Sequence, residues 1–470
     1  MPEDTSILID MKNLDLTADM VIRPNKSKLE IDAIDSIQCG KEVARHFGFA
    51  EGYRNLNHGS FGTYPAGVKA VQRKFQDDCE ARPDQFIRYE FPRRNDEARG
   101  AVAGILGVDS ETCVFVPNAT TGVNTVLRNI VYQPGDVIIY FATIYGACHK
   151  TVEYMTETTP AESRSVEYKY PISDAELCSR FEETIKAIKT QGKNPKLAIF
   201  DSIVSLPGVR APFEELTKIC REYNTLSCID GAHGIGHIPL NLKEVDPDFF
   251  VSNCHKWLYV PRGCAVFYVP VRNQHLIRSS LPTSHGFVPR ETEAAFNPLP
   301  PSQKSEFVNQ FEFVGTLDNS PYLCIPTALQ WREKVRYGEL KGEEAVMKYC
   351  VDVARQGGDK TAQILGTEVL ENAEGTLRNC AFANVRLPLS YSDLAGGDMN
   401  TAISIAQWMS KTLLDEYNTF LALLIHAENF YVRLSGQIYL TEEDFDWAGN
   451  VLKEVCARAK KGEWKEGERA

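Results

Sequence analysis

Three short stretches of this chain hold residue types that could do chemistry together. Lys256 stands in FFVSNCHKWLY (249–259), between an apolar run and the aromatic residues Trp257 and Tyr259, with His255 beside it. An amine so placed is partly desolvated, loses its proton more readily than a surface lysine, and can form a Schiff base with a carbonyl. The stretch alone fits an ordinary strand-end lysine equally well. Asp230 closes the apolar run LSCID (226–230), and His233 follows among glycines that let a ligand approach the backbone. A carboxylate there either caps a helix or holds a protonated ring nitrogen by a charge-assisted hydrogen bond. In VPNATTGVNTVL (116–127), Asn118, Thr120 and Thr121 follow another apolar run, and a helix is expected to begin at Thr120. Free N–H groups at a helix start, with two hydroxyls beside them, make a phosphate cup, although a plain N-cap has the same look. The glycine pattern and lysine of a P-loop are missing. Each stretch has a purely structural reading by itself. A phosphate cup, a strand-end aspartate and a strand-end lysine in that order are far more specific together.

The elements that must carry these groups read as alternating buried strands and helices. CVFV (113–116), VIIYF (137–141), LAIFD (197–201), LSCID, FFVS (249–252) and CAVFYV (264–269) are short apolar runs suited to strands covered on both faces. PFEELTKICREYN (212–224) has a helical period, with Pro212 suited to a first turn. The repetition predicts an α/β fold around a mostly parallel sheet with right-handed crossovers, where ligands bind at the carboxyl ends of strands. All three polar stretches fall at such ends. Residues 1–50 are polar and mixed, an N-terminal arm with a short helix around Ser36–Phe47 that packs with the small domain. Residues 51–320 form the large domain, ending in an irregular Pro-, Ser- and Gly-rich connection from 271. Residues 321–470 form a smaller α+β domain, with helices in TALQWREKVRYG and TAISIAQWMSKTLLDEY and strands in VLENAEGTLRNCAFANVRLP and NFYVRLSGQIYLT.

Bulk composition excludes several function classes. With 51 basic against 63 acidic residues, the net charge is −12, so there is no basic footprint and nucleic acid is not an expected partner. No run of about 18 apolar residues exists to cross a membrane. The start, MPEDTSILIDMKNLDL, is acidic and lacks the apolar core of a secretory signal. Thirteen cysteines are scattered without a CxxC pair, which fits reduced thiols in a cytoplasmic enzyme better than a disulfide scaffold or a metal site.

NATTG (118–122), Tyr145 in IYGAC, DGAH (230–233), NCHKW (253–257), FVGT (313–316) and VRLS (432–435) together resemble the class V, fold-type I pyridoxal-phosphate enzymes. The resemblance runs from about residue 50 to 450. LNHGSFG (56–62), DGAH and HKW look closest to the isopenicillin N epimerase-like branch and, within it, to the ergothioneine-pathway lyases that act on hercynylcysteine sulfoxide. It implies a large domain with a seven-stranded, mostly parallel sheet, a small C-terminal domain, pyridoxal 5′-phosphate as cofactor, and an obligate homodimer with shared active sites.

By position, Lys256 would carry the cofactor as a Schiff base and later shuttle the Cα proton, and Asp230 would pair with the pyridine nitrogen. His233 and, in a looser alignment, Ser202 would approach the phenolic oxygen. Thr120, Thr121, His255 and Asn253 would hold the phosphate, with Thr316 arriving from the partner subunit. Asn253 stands where desulfurases usually have serine, and Ser252 is an alternative. Tyr145 would stack on the ring and is a candidate acid for the leaving group. Arg433 would clamp the substrate carboxylate, while Asn57, His58 and Ser60 would line the substrate entrance. Tyr145 as a strand-end aromatic and Arg433 as a surface pair for Glu442 or Glu443 are the plainer alternatives.

The desulfurase mechanism needs a nucleophilic cysteine on a mobile loop shortly before that arginine, and LALLIHAENFYVR (421–433) contains none. The expected reaction is therefore β-elimination from a cysteine S-conjugate sulfoxide, giving pyruvate, ammonia and a sulfenic acid that an external reductant converts to a thiol. A racemase or epimerase, an aminotransferase, and a non-catalytic scaffold are the rival readings.

Overall fold

The computed structural model describes residues 35–465 except residue 294. Its largest sheet has seven strands: β2 (Cys113–Val116), β3 (Asp136–Phe141), β4 (Glu162–Val166), β5 (Asn194–Asp201), β6 (Leu226–Asp230), β7 (Phe249–Ser252) and β8 (Ala265–Tyr268), following the short β1 (Ile37–Gln38). Their order is β2-β8-β7-β6-β5-β3-β4, with β8 antiparallel to both neighbours and the remaining pairs parallel. The expected α/β architecture with a mostly parallel sheet is present.

Alternation along each strand explains why these segments are apolar throughout. Ile139, Phe200, Ile229 and Phe250 enter one core, whereas Ile138, Ile199, Cys228 and Val251 enter a second core on the opposite face. β4 (ESRSV) escaped the sequence reading because it is an edge strand with two exposed residues, so it lacks an apolar run. The carboxyl ends of β2, β5, β6 and β7 point to one edge, where Asn118, Asp201, Asp230 and Ser252–Lys256 gather.

The C-terminal part adds β9 (Val335–Tyr337), β10 (Leu340–Lys341), β11 (Phe382–Ser390), β12 (Ala422–His426) and β13 (Asn429–Ser435). The last three form an antiparallel sheet with β13 in the centre. β12 and β13 are joined through Ala427 and Glu428, both at positive φ, the two-residue turn that suits strand twist. VRYG is a strand and turn rather than the end of the expected helix, which stops at Glu333. The expected helix around Ser36–Phe47 is instead β1, paired with β9, followed by a 3₁₀ turn at Lys41–His46. Gly40 N–H also donates to the Ile438 carbonyl, so this segment packs with the C-terminal part. The rest of the expected arm, residues 1–34, lies outside the described residues.

A 24-residue helix, Gly342–Leu365, is absent from the sequence-based elements, and Gly357–Gly358 in its middle shows why. A Cβ on Gly357 would lie 2.2 Å from the Phe445 ring, and one on Gly358 would lie 2.5 Å from Ala383 Cβ. The glycines interrupt the apolar period because helix and sheet press against them. Alanine normally favours a helix over glycine by about 1 kcal/mol. Gly357→Ala should nevertheless destabilise the fold by roughly 1–3 kcal/mol through overpacking, read as a lower urea midpoint at unchanged slope; an equal or higher midpoint would refute this packing account.

Candidate active site

Lys256 lies in a single helical turn, Cys254–Trp257, just past β7. One turn is too short to be stable alone, so its neighbours fix it. The Asn253 carboxamide oxygen accepts from Ala119 N–H (2.8 Å), tying the turn to the helix that follows β2. His58 Nε2 donates to the Lys256 carbonyl (2.6 Å), and Arg332 Nη1 donates to the Trp257 carbonyl (2.7 Å). The Lys256 amine points to His233 Nε2 at 3.2 Å. Burial pulls this amine down to about 8, with Arg433 pushing the same way and Asp230 and Asp201 opposing.

Asp230 and Asp201 end adjacent strands in register, and both are buried. Asp230 accepts from Ala232 N–H (3.0 Å) and from the Cys148 thiol (3.4 Å). Burial and the neighbouring Asp230 charge raise Asp201 well above the carboxylate range; Asp230 is also raised by burial, but its two donors and Lys256 pull it back. Of the two, Asp201 is the more strongly raised. Cys148 is a buried thiol, raised by desolvation and by Asp230, so it serves as a hydrogen donor and not a nucleophile.

Arg433 on β13 is 1% exposed and makes no ion pair among the described residues. Its Nη1 donates to the Ser205 carbonyl (2.8 Å), and Nη2 donates to Asn57 Oδ1 and Ser60 Oγ (both 2.9 Å). The guanidinium lies 4.5 Å over the Phe382 ring, and burial lowers it to about 10, still charged at neutral pH. A buried cation whose Nε has no partner is a site that wants an anion. The surface pairing with Glu442 or Glu443 is excluded.

Other expected site residues divide clearly. Asn57 and Ser60 meet the guanidinium, but His58 does not face a substrate. It is buried, with Nε2 on the Lys256 carbonyl and Nδ1 bonded to the Tyr439 hydroxyl (2.9 Å), so it supports the lysine turn from behind. The helix after β2 starts at Ala119, not Thr120. Asn118 caps it by accepting from Thr121 N–H, and the Thr121 hydroxyl also donates to Asn118. His255 donates from Nδ1 to the Cys264 carbonyl (2.9 Å), which leaves Nε2 free, and burial pushes its ring down to about 4. Ser252 cannot stand in for a phosphate ligand, because its hydroxyl donates to the Gly231 carbonyl and accepts from Ile235 N–H. The Ser202 hydroxyl is buried and has no partner among the described residues. Tyr145 occupies the N-cap position of the helix Gly146–Thr158, makes no side-chain capping bond and is half exposed. Thr316 is exposed beside a cavity lined by Phe75, Phe86 and Phe313, apart from the Lys256 cluster.

Trp257, Asp201 and Phe382 complete the site and are missing from the sequence-based set. Asp201 had a visible signal, since LAIFD and LSCID both run apolar residues into an aspartate. Phe382 had none, because its contact crosses from a distant strand.

The aminotransferase class-V family model matches residues 86–300. An L-cysteine desulfhydrase-like protein of Epichloe uncinata is 38% identical over 89% of this chain and 94% of its own length. The hercynylcysteine sulfoxide lyase of Schizosaccharomyces pombe is 31% identical over 89% and 98%. Among solved structures, the cystine C–S lyase C-DES in complex with cysteine persulfide aligns at a TM-score of 0.63, with 18% identity over 86% of this chain and 97% of that one. A cysteine desulfurase from Thermococcus onnurineus aligns at 0.66, with 16% identity over 90% and 99%. The chain belongs to the class-V aminotransferase family, and its cofactor is pyridoxal 5′-phosphate.

The residues present fit that group. A desolvated amine, a buried carboxylate at a strand end, a buried hydroxyl at Ser202 without a partner among the described residues and a free imidazole nitrogen at His255 are the groups an aldehyde, ring nitrogen, phenolic oxygen and phosphate require. Asn253 would contribute only its amide NH₂, since its oxygen is taken. If burial sets the Lys256 proton affinity, competitive acylation of the cofactor-free chain should show its amine titrating near pH 8; a midpoint near the ordinary lysine value of 10.5 would contradict a dry site.

Proposed function

We propose that the chain is a pyridoxal-phosphate-dependent carbon–sulfur lyase that cleaves hercynylcysteine sulfoxide by β-elimination in ergothioneine formation. The observation that carries this reading is the buried Arg433 guanidinium, without an ion pair among the described residues, beside a desolvated Lys256, an arrangement suited to an α-amino acid carboxylate with a base near its Cα. Support for the sulfoxide comes from the named activity of the Schizosaccharomyces pombe relative, which this chain matches along nearly its full length.

The cofactor, when bound, supplies an electron sink that makes the Cα proton acidic and lets the β-substituent leave. Arg433 orients the carboxylate by its planar donors, a task lysine does poorly. Lys256, uncharged near neutral pH in part of the molecules, takes the Cα proton. Tyr145, half exposed at the start of the helix Gly146–Thr158, donates a proton to the departing sulfenate oxygen. The C–S bond breaks with both electrons going to sulfur, and addition of water to the three-carbon remainder yields pyruvate and ammonia.

The segment that would carry a persulfide-accepting cysteine in a desulfurase does not favour that route here. The segment before Arg433 is a tight hairpin without cysteine, and His426 within it is bonded to the backbone of Tyr170 through Nε2. A second reading, release of sulfide from cysteine itself, draws support from the names of the Epichloe uncinata relatives at 38% identity.

Incubating the cofactor-loaded protein with hercynylcysteine sulfoxide, cysteine and other S-conjugates, and measuring pyruvate for each, separates these readings. The sulfoxide should be preferred; faster turnover of cysteine would favour the second reading, and Cα inversion without pyruvate would replace both by an epimerase. Lys256→Ala should abolish pyruvate release. Arg433→Lys should lower kcat/KM roughly 100-fold, about 3 kcal/mol, mainly through KM, since it removes a bidentate charged contact.

A further inference from the structure

Lys256 is the group whose protonation the chemistry needs to control, and the described residues around it give that control an unassigned source. The Lys256 amine touches His233 Nε2 at 3.2 Å, and the other nitrogen of that ring, Nδ1, accepts from the Trp257 indole N–H at 3.2 Å. An indole nitrogen can only donate, so Nδ1 must be the unprotonated nitrogen. His233 is buried, and its proton affinity is held well below the ordinary histidine value by burial, then by Lys256, Arg433, His237 and His255, so the ring is neutral. A neutral imidazole bare at Nδ1 carries its single proton on Nε2.

We propose that Trp257 is a positioning residue whose indole N–H fixes the tautomer of His233, so that His233 presents a donor and never an acceptor to the Lys256 amine. The arrangement opposes the ammonium form, whose N–H bonds would face another N–H, and favours the free amine, whose lone pair accepts. The indole itself is held in orientation. His237 stacks on it at 3.8 Å and 25°, Phe382 meets it edge-on at 5.4 Å, and Arg332 bonds its carbonyl. His237 cannot take over the role, because it bonds the His233 carbonyl through Nδ1 and accepts Ala381 N–H at Nε2. The other charged or titratable groups acting on the amine are Asp230, Arg433 and Asp201, whereas the indole N–H donates to His233. The inference rests on family membership and the lysine, whichever sulfur compound is the substrate.

Two measurements test it. In the full-length protein labelled with ¹⁵N-histidine, the His233 ring should show a protonated Nε2 and a bare, hydrogen-bonded Nδ1 across neutral pH; a protonated Nδ1 would overturn the proposal without any variant. Trp257→Phe keeps an aromatic ring against His237 but deletes the N–H. In that variant, competitive acylation of the cofactor-free chain should show the Lys256 titration moving up by about one unit, roughly tenfold less free amine at pH 7. In a His233→Leu background the same Trp257→Phe change should leave the titration where it was. An unshifted titration in the single variant, or an equal shift in the leucine background, would mean that the indole acts by packing alone, and the proposal fails. Should Trp257→Phe not fold, the histidine spectrum of the unaltered protein decides.

Discussion

Desolvation of cationic groups at the carboxyl edge of one sheet is the constraint that organises this molecule. Lys256 and Arg433 are brought into the same dry region, and among the described residues neither is given a carboxylate to pair with directly. Leaving a cation in such a place costs several kcal/mol, which a domain with an ordinary stability margin tolerates only if the surroundings are rigid. The two apolar cores flanking the seven-stranded sheet provide that rigidity, and Arg332, another buried guanidinium, acts as a clamp. It pairs with Glu343 and donates to the carbonyls of Trp257 and Gly236. The contrast between the two arginines is informative. The structural one has its carboxylate, while the one in the site is left wanting an anion.

Buried histidines then give direction without adding charge. His58, His233 and His237 are all held below the ordinary imidazole value by burial, so each is a neutral ring with one donor and one acceptor. His58 receives the Tyr439 hydroxyl, which itself accepts from Asn55, and passes a donor to the Lys256 carbonyl. The lysine is therefore gripped at its backbone by one ring and met at its amine by another. Protonated rings in the same places would have stacked positive charge against an amine that has to be free of it.

What could be read in the sequence follows from the range of the interactions involved. Lys256, Asp230 and His233 announce themselves because an apolar run that ends in a polar residue is a local pattern, visible within a dozen positions. Arg433 was reachable only through resemblance, since nothing in NFYVRLSG shows that the strand is the buried centre of a three-stranded sheet. His58 looked like a residue of the entrance because its neighbours Asn57 and Ser60 do meet the guanidinium; its own side chain turns inward to a carbonyl 198 residues away. Asn253 has only its amide NH₂ left for a ligand, because its oxygen is spent on Ala119 N–H, a contact between residues 134 apart that its own neighbourhood does not show. The Gly342–Leu365 helix was hidden by the two glycines that its packing requires. In each case the missing information was a contact between distant segments, which spacing along one chain does not encode.

The small sheet contributes more than an arginine. Register pairs Arg433 with Asn384 on one side and Ala422 on the other, so the guanidinium is carried by the most constrained position of its sheet. Asn384 in turn bonds both backbone groups of Gly208, and a Cβ on Gly208 would lie 2.7 Å from Arg433 Cδ. The chain after β5 is thereby fastened to β11 beside the guanidinium, and Ser205 in that segment supplies one of its acceptors. A long connection before β13 would loosen this lattice and free a side chain to swing into the site. The two-residue turn leaves no such connection, and His426 in the hairpin is tied to Tyr170. The ladder that aims the arginine thus also leaves no mobile loop directly ahead of it in the chain from which a nucleophile could swing in.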